Sequence, residues 1–270
     1  MQRSLRLVCS LPLIGLLAGC GGTAERAATT EHVATAKHST TVPRPAPGSG
    51  VAAKPRCGGG PGRPVGSSRV AVAALVRSRA RAFRLPGRGE LASFGRLNQN
   101  GFPTVFRVLT AVRARNCRSV WYRVQLPMRP NGVTGYVRAR AVELGKVRTK
   151  IVVDLSSRRL TFLRDGEPVL RASVAIGASA TPTPTGHYYV NQKLVPSDSA
   201  GPYGPGAIGI SAFSPVLTGW AQGGPVAIHG TNEPWSIGRP VSNGCIRVHN
   251  LVLRRLFDAA AAGTPVLIRR

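Results

Sequence analysis

Acidic residues are scarce. Ten Asp and Glu stand against 37 Lys and Arg in 270 residues, a formal net charge of +27. Lysine is scarce too: Lys37, Lys54, Lys146, Lys150 and Lys193 are the only five, so arginine carries almost all of the positive charge. Such a surface attracts polyanions. The arginines are scattered singly over strands, turns and termini, however, without a basic tract or recognition helix. The pattern therefore names no specific nucleic-acid partner, and an anionic bacterial wall suits it equally well. Aromatics make up only 6%. No stretch reaches the ~20 apolar residues of a membrane-spanning helix. Neither Cys-x-x-Cys nor His-Glu-x-x-His occurs, so zinc-ligand spacing is missing. What is present is 43% hydrophobic residues, which rules out a wholly disordered chain. Gly (32) and Pro (22) make a fifth of the sequence and point to a turn-rich β protein with linkers.

The N-terminus sets the expected compartment. Arg3 and Arg6 precede an apolar run, Leu7 to Leu17, broken only by Cys9, Ser10 and Pro12. It is too short to span a bilayer and fits a secretory signal. It ends in Leu17-Ala18-Gly19-Cys20, which resembles the bacterial lipoprotein lipobox. The resemblance implies removal of residues 1–19, lipid on Cys20, and an exported protein anchored to the cell membrane and facing the wall. Three cysteines then remain, Cys57, Cys117 and Cys245, an odd number for an oxidising exterior. One arrangement pairs Cys57 with Cys117 and leaves Cys245 alone; sequence does not fix that pairing.

Residues 20–66 read as a disordered linker, Pro-rich around Pro43–Pro47 and Gly-rich around Gly58–Gly62. His32 and His38 fall in it. Residues 67–145 carry short strands at Val70–Val72, Ala80–Phe83, Val105–Leu109, Trp121–Leu126 and Gly135–Val137, with turns about every ten residues. That pattern predicts a small barrel. Trp121-Tyr122 and Gly135-Tyr136-Val137 resemble bacterial SH3-like domains, which implies either a wall-touching or enzyme-positioning unit, or a spacer. Residues 148–270 predict a second, mainly β unit. Its strands are Ile151–Leu155, Arg159–Leu163, Val169–Gly177, Pro225–Ile228 and Val266–Ile268, with a turn at Asp165-Gly166 and a stiff loop over Thr181–Gly186. One helix is expected from Leu251 to Ala262, capped by Asn250 and ended by Gly263 and Pro265.

The chemistry concentrates in Ile228-His229-Gly230-Thr231 and Ser242-Asn243-Gly244-Cys245-Ile246-Arg247. A thiol attacks acyl carbon as thiolate, and a free cysteine has a pKa of about 8.5. A histidine partner can take that proton. His229 ends a strand, and Cys245 follows a glycine after a loop long enough for the two side chains to meet. The Gly244 and Cys245 amides are candidates to face a developing oxyanion. Arg247 can bind a carboxylate through its guanidinium fork. No Asp follows His229 at a useful spacing, so a backbone carbonyl is the alternative third member.

These two segments resemble the active-site signature of the L,D-transpeptidases, the YkuD-type family, across residues 148–270. The run Thr183-Pro184-Thr185-Gly186 resembles an upstream element of the same family. The implied fold is an L,D-transpeptidase β-sandwich with one C-terminal helix, preceded by the SH3-like small barrel. The implied roles make Cys245 the nucleophile and His229 the base. The Gly230 carbonyl would orient His229, the Gly244 and Cys245 amides would form the oxyanion hole, and Ser242 and Arg247 would shape and charge the pocket. Asn243 departs from the family, many members having His there; a change in rate or acceptor preference is the implied consequence. The implied substrate is a peptidoglycan tetrapeptide stem, cleaved at its third residue with loss of D-alanine. An amine acceptor would give a 3→3 cross-link; water would make the enzyme an L,D-carboxypeptidase. No metal or cofactor is implied, and carbapenems are implied covalent inhibitors. Tyr203, in a Gly/Pro-rich loop, and Trp235, between His229 and Cys245, are further candidates for the substrate pocket. His187 reads as strand surface and His249 as the helix entrance. The His-before-Cys order opposes papain-like and NlpC-like hydrolases, and an intact pair opposes a non-catalytic wall-binding protein.

Overall fold

The computed structural model describes residues 62–270. The signal segment, Cys20, the histidines at 32 and 38, most of the 20–66 linker and Cys57 lie outside the described residues.

Two β-sheets, the first antiparallel and the second mixed, make up nearly all of the regular structure of the described residues. In hydrogen-bonded order the first runs Arg88–Gly95, Arg79–Leu85, Thr134–Arg138, Ser119–Gln125, Val105–Arg113, Ala71–Val76, Val142–Val147, with Arg63–Pro64 also paired to Val105–Arg113. The second runs Glu167–Ser173, Arg159–Arg164, Thr149–Asp154, Pro265–Arg269, Gly186–Leu194, Ala207–Phe213, Pro225–His229, Ile246–Arg247. A short parallel pair, Ile176–Gly177 with Pro240–Ser242, lies beside them. The described residues are thus mainly β with one α-helix.

Alternation writes the sheet edges. Along Arg159–Arg164, Leu160 and Phe162 are buried while Arg159 and Arg164 are exposed, so one face meets the core and the other meets water. The hairpin to Glu167–Ser173 turns on Asp165 and Gly166, both at positive φ (53° and 91°). Those are the signs that a two-residue primed turn requires. The central strand Ala207–Phe213 is buried on both faces, which is why its sequence shows no alternation.

The second sheet folds over a core that includes Ile151, Leu160, Phe162, Ile208, Ile228 and Ile246. The helix, Asn250–Ala259, lays Leu253 and Leu256 onto it. Each such side chain contributes about 1.5–3 kcal/mol when fully buried. The helix is shorter than the sequence predicts, and Asn250 does not cap it. His249 occupies the N-cap position without a side-chain cap bond. The Asn250 carboxamide is drawn elsewhere: Oδ1 accepts the Thr231 N–H at 2.8 Å. After Ala259 the chain turns so that the Gly263 N–H reaches the Val190 carbonyl, 2.7 Å away.

Between the sheets sits Tyr189, fully buried among Ala73, Val105 and Val147. Its hydroxyl donates to the Val105 carbonyl at 3.1 Å. Gln125 Nε2 donates to the His187 carbonyl at 2.5 Å beside it. The described residues all fall within one compact unit. No helix among the described residues is long and apolar enough to cross a membrane.

Candidate active site

Strand pairing assembles the site. Pro225–His229 runs antiparallel to Ala207–Phe213 on one side and parallel to Ile246–Arg247 on the other. The parallel register sets Ile228 opposite Ile246 and His229 opposite Arg247. Cys245 enters that strand one residue earlier. The main-chain ladder therefore holds His229 and Cys245 at one sheet edge, although sixteen positions separate them in sequence.

The loop carrying Cys245 is held from behind by threonines. Thr183 Oγ1 donates to the Gly244 carbonyl (2.9 Å) and accepts the Gly177 N–H (2.8 Å). Thr181 Oγ1 donates to the Ser242 carbonyl (3.0 Å). Ser242 is buried; its Oγ donates to the Cys245 carbonyl (2.6 Å) and accepts the Gly244 N–H (3.2 Å). Of the two amides expected to receive an oxyanion, the Gly244 one is therefore already engaged. Gly244 sits at φ +104°, a conformation that side-chain-bearing residues rarely adopt.

His229 is buried, and its Nδ1 lies 2.6 Å from the Gly230 carbonyl oxygen. A carbonyl only accepts, so Nδ1 carries the proton and Nε2 presents its lone pair. Burial pushes the His229 pKa down to about 4; the Gly230 bond opposes this, and the Arg247 charge adds to it. The free, partly buried Cys245 thiol moves the other way. Burial raises its pKa, while a hydrogen bond with the Ala227 backbone and the Arg247 charge pull it back. At neutral pH the resting pair is a neutral thiol beside a neutral imidazole, rather than an ion pair.

Both side chains open into a cleft of about 360 Å³ that Tyr203, Trp220, Asn243 and Arg247 also line. The Tyr203 ring leans over His229, centroids 4.9 Å apart and planes at 60°. Arg247 forms an ion pair with Glu233 through Nη1, while its Nε is buried without a hydrogen-bond partner. Trp235 is outside the cleft, 58% exposed and facing the Arg239 guanidinium at 5.8 Å. His187 and His249 are exposed, and neither lines this cleft. The sequence reading missed Trp220 and the 214–224 loop that carries it. The signal was an exposed aromatic in a loop flanked by Pro215 and Gly224. It also missed Thr181, Thr183 and Asn250 as supports. A larger cleft, about 480 Å³, lies around Arg69, Arg107, Lys150 and His187 but holds no cysteine. Among the described residues no cluster of three or more His, Cys, Asp or Glu is arranged to hold a metal. Cys117 is disulfide-bonded; Cys57, its expected partner, lies outside the described residues.

Residues 148–268 match the YkuD family model, an L,D-transpeptidase catalytic domain. The Bacillus subtilis protein YqjB, whose name assigns it to the L,D-transpeptidases, is 32% identical over 128 residues, covering 44% of this chain and 69% of YqjB. This chain belongs to the L,D-transpeptidase family. Its match to YkuD of Bacillus subtilis, named in the same family, is 36% identical over 121 residues, 44% of this chain and 65% of YkuD. The chain thus spans less than two thirds of that relative. The solution structure of the catalytic domain from Enterococcus faecium L,D-transpeptidase aligns at 27% identity over 45% of this chain and 96% of that one, with a TM-score of 0.34. The matched span contains His229, Cys245 and the threonine loop behind them.

Proposed function

We propose that this chain is an exported peptidoglycan L,D-transpeptidase with Cys245 as nucleophile. One observation carries the reading. His229 has Nδ1 committed to the Gly230 carbonyl, leaving Nε2 as a base in the same cleft as a free thiol.

The reaction follows from that arrangement. Nε2 takes the thiol proton as Sγ attacks the carbonyl of the third residue of a tetrapeptide stem. The C=O electron pair moves onto oxygen, and the Cys245 amide is the donor we assign to it; the Gly244 amide joins only by leaving Ser242 Oγ. The oxyanion collapses, the C–N bond to the terminal D-alanine breaks, and His229 returns the proton to the leaving amine. A side-chain amine of a second stem then attacks the thioester, giving up a proton to His229. A 3→3 amide forms, and the thiol is regenerated with that proton. Burial favours the neutral form of both groups, so His229 becomes an imidazolium as it takes the thiol proton. A β-lactam presents the same electrophile, so carbapenems are expected to acylate Cys245. The lipobox-like start supports anchoring through Cys20. The strand pattern before residue 148 supports an SH3-like unit.

The test uses the mature chain, wild type and Cys245→Ala, with disaccharide-tetrapeptide, products being read by mass spectrometry. Loss of D-alanine with cross-linked dimers, absent from Cys245→Ala, is the expected result. Loss without dimers assigns an L,D-carboxypeptidase. No reaction by folded wild type, across stem variants, rejects the enzyme reading in favour of wall binding.

A further inference from the structure

One wall of the active-site cleft is the 214–224 loop, which supplies Ser214, Leu217, Trp220 and Gly224. Its neck is closed by one main-chain bond, Ser214 N–H to the Gly224 carbonyl, 2.8 Å. Its C-terminal end has an unfavourable backbone. Gln222, Gly223 and Gly224 are all left-handed, at φ +59°, +76° and +67°, and Gln222 bears a side chain. Such a residue persists in that region only where its surroundings over-determine it.

The surroundings that do so come from the N-terminal sheet. Arg129 lies in the connection between Ser119–Gln125 and Thr134–Arg138. Its Nη2 donates to the carbonyls of Ser214 and Gly223, each at 2.6 Å, and its Nε donates to Gly223 again at 3.2 Å. One guanidinium thus staples both ends of the loop, with its Cζ 5.4 Å from the Phe213 ring centroid. Two residues on, Asn131 exchanges two hydrogen bonds with the Phe213 backbone: Nδ2 to the carbonyl at 2.8 Å, and Oδ1 from the N–H at 2.9 Å. From another connection, the Asn100 carboxamide pairs reciprocally with that of Gln222, at 2.7 and 3.2 Å. Arg129 has no carboxylate partner among the described residues, so its donors are spent on this loop. Charged donors to carbonyls are among the stronger hydrogen bonds.

We propose that Arg129, Asn131 and Asn100 are positioning residues for the donor cleft. They set the 214–224 loop, and with it Trp220, in the geometry that receives the stem peptide; this rests on the transpeptidase reading above. None of the three touches His229 or Cys245. Their loss is therefore expected to weaken substrate capture more than the chemical step, a split that general loss of stability would not produce.

The experiment measures kcat, KM and thermal stability on the mature chain, with hydrogen exchange over residues 214–224. Arg129→Lys keeps the charge but loses the Nε donor to Gly223 and the planar head that aims Nη2 at both carbonyls. It is expected to raise KM for the tetrapeptide about tenfold or more, to leave kcat within about threefold, and to accelerate exchange selectively in the loop. A tenfold change corresponds to about 1.4 kcal/mol. Should Arg129→Lys fail to fold, Asn100→Ala decides, with about threefold in KM and faster exchange around Gln222. Unchanged KM with unchanged loop exchange overturns the proposal. If wild type turns over no stem peptide, the transpeptidase reading fails while the exchange pattern still decides whether these residues hold the loop. Unaltered exchange there overturns the brace as well.

Discussion

Arg247 and Glu233 neutralise each other at the rim of the active-site cleft, and the Arg247 Nε behind them is buried without a partner. The guanidinium is the more buried member, its side chain 19% exposed against 43% for the carboxylate. Glu233 thus engages Nη1 of the guanidinium that, on the proposed reading, meets a substrate carboxylate.

In Glu233→Gln, Arg247 keeps its position but loses its counter-charge, at a cost of about 1–2 kcal/mol for a half-exposed pair. A carboxylate-terminated tetrapeptide then meets an uncommitted cation. Its stabilising effect in a thermal melt of Cys245→Ala is expected to be larger in the Glu233→Gln background. Equal shifts in the two backgrounds would show that Arg247 does not read the stem carboxylate.

The depressed pKa of His229 fixes the acid side of the rate profile. Cleavage needs neutral imidazole, so kcat/KM should hold down to about pH 4 instead of falling near the ordinary 6.5. Stability shows the same shift. The unfolded chain binds the His229 proton more tightly than the folded one, so stability is lost as pH falls from about 6.5 towards 4, by about 3 kcal/mol if nothing else titrates. Melts of wild type and His229→Gln over that range isolate the contribution. Parallel curves would contradict it.

Thr183→Val tests the threonine loop. It is nearly isosteric, yet it strands the Gly177 N–H and removes the donor to the Gly244 carbonyl. Two buried polar groups left unpaired cost about 1–3 kcal/mol each. The loop behind Cys245 is expected to loosen, with turnover falling at least tenfold while far-UV circular dichroism stays unchanged. Full activity in a folded Thr183→Val protein would remove the threonines from the account.

How much of this was legible in the sequence depended on periodicity. Strands such as Arg159–Arg164, with one wet face, declared themselves, and so did the Asp165-Gly166 turn. Ala207–Phe213 did not: buried on both faces, it reads as an apolar run with Gly209 in it. Gly186–Leu194 was hidden by polar residues at its end, where Asn191 and Gln192 line a second cleft. His229 and Cys245 were visible because their flanking residues are so restrictive. The 214–224 loop was not, because what holds it is Arg129, remote in sequence and indistinguishable by composition from the other arginines. Asn250 misled for a related reason. A residue well suited to cap a helix was recruited by Thr231, a long-range contact that local propensity does not encode.

Tyr189 makes the catalytic half dependent on its neighbour. Its ring is fully enclosed by side chains from the preceding sheet, and its hydroxyl has a carbonyl there as partner. A chain cut before residue 148 would bare that ring at a raw apolar seam, and the wall of the cleft would lose its staple at the same stroke. The smallest part of this protein expected to be both soluble and competent therefore begins well upstream of the family's own boundary. A variant library confined to residues 148–270 would overlook Arg129, Asn131 and Asn100, whose hydrogen bonds hold one wall of the cleft.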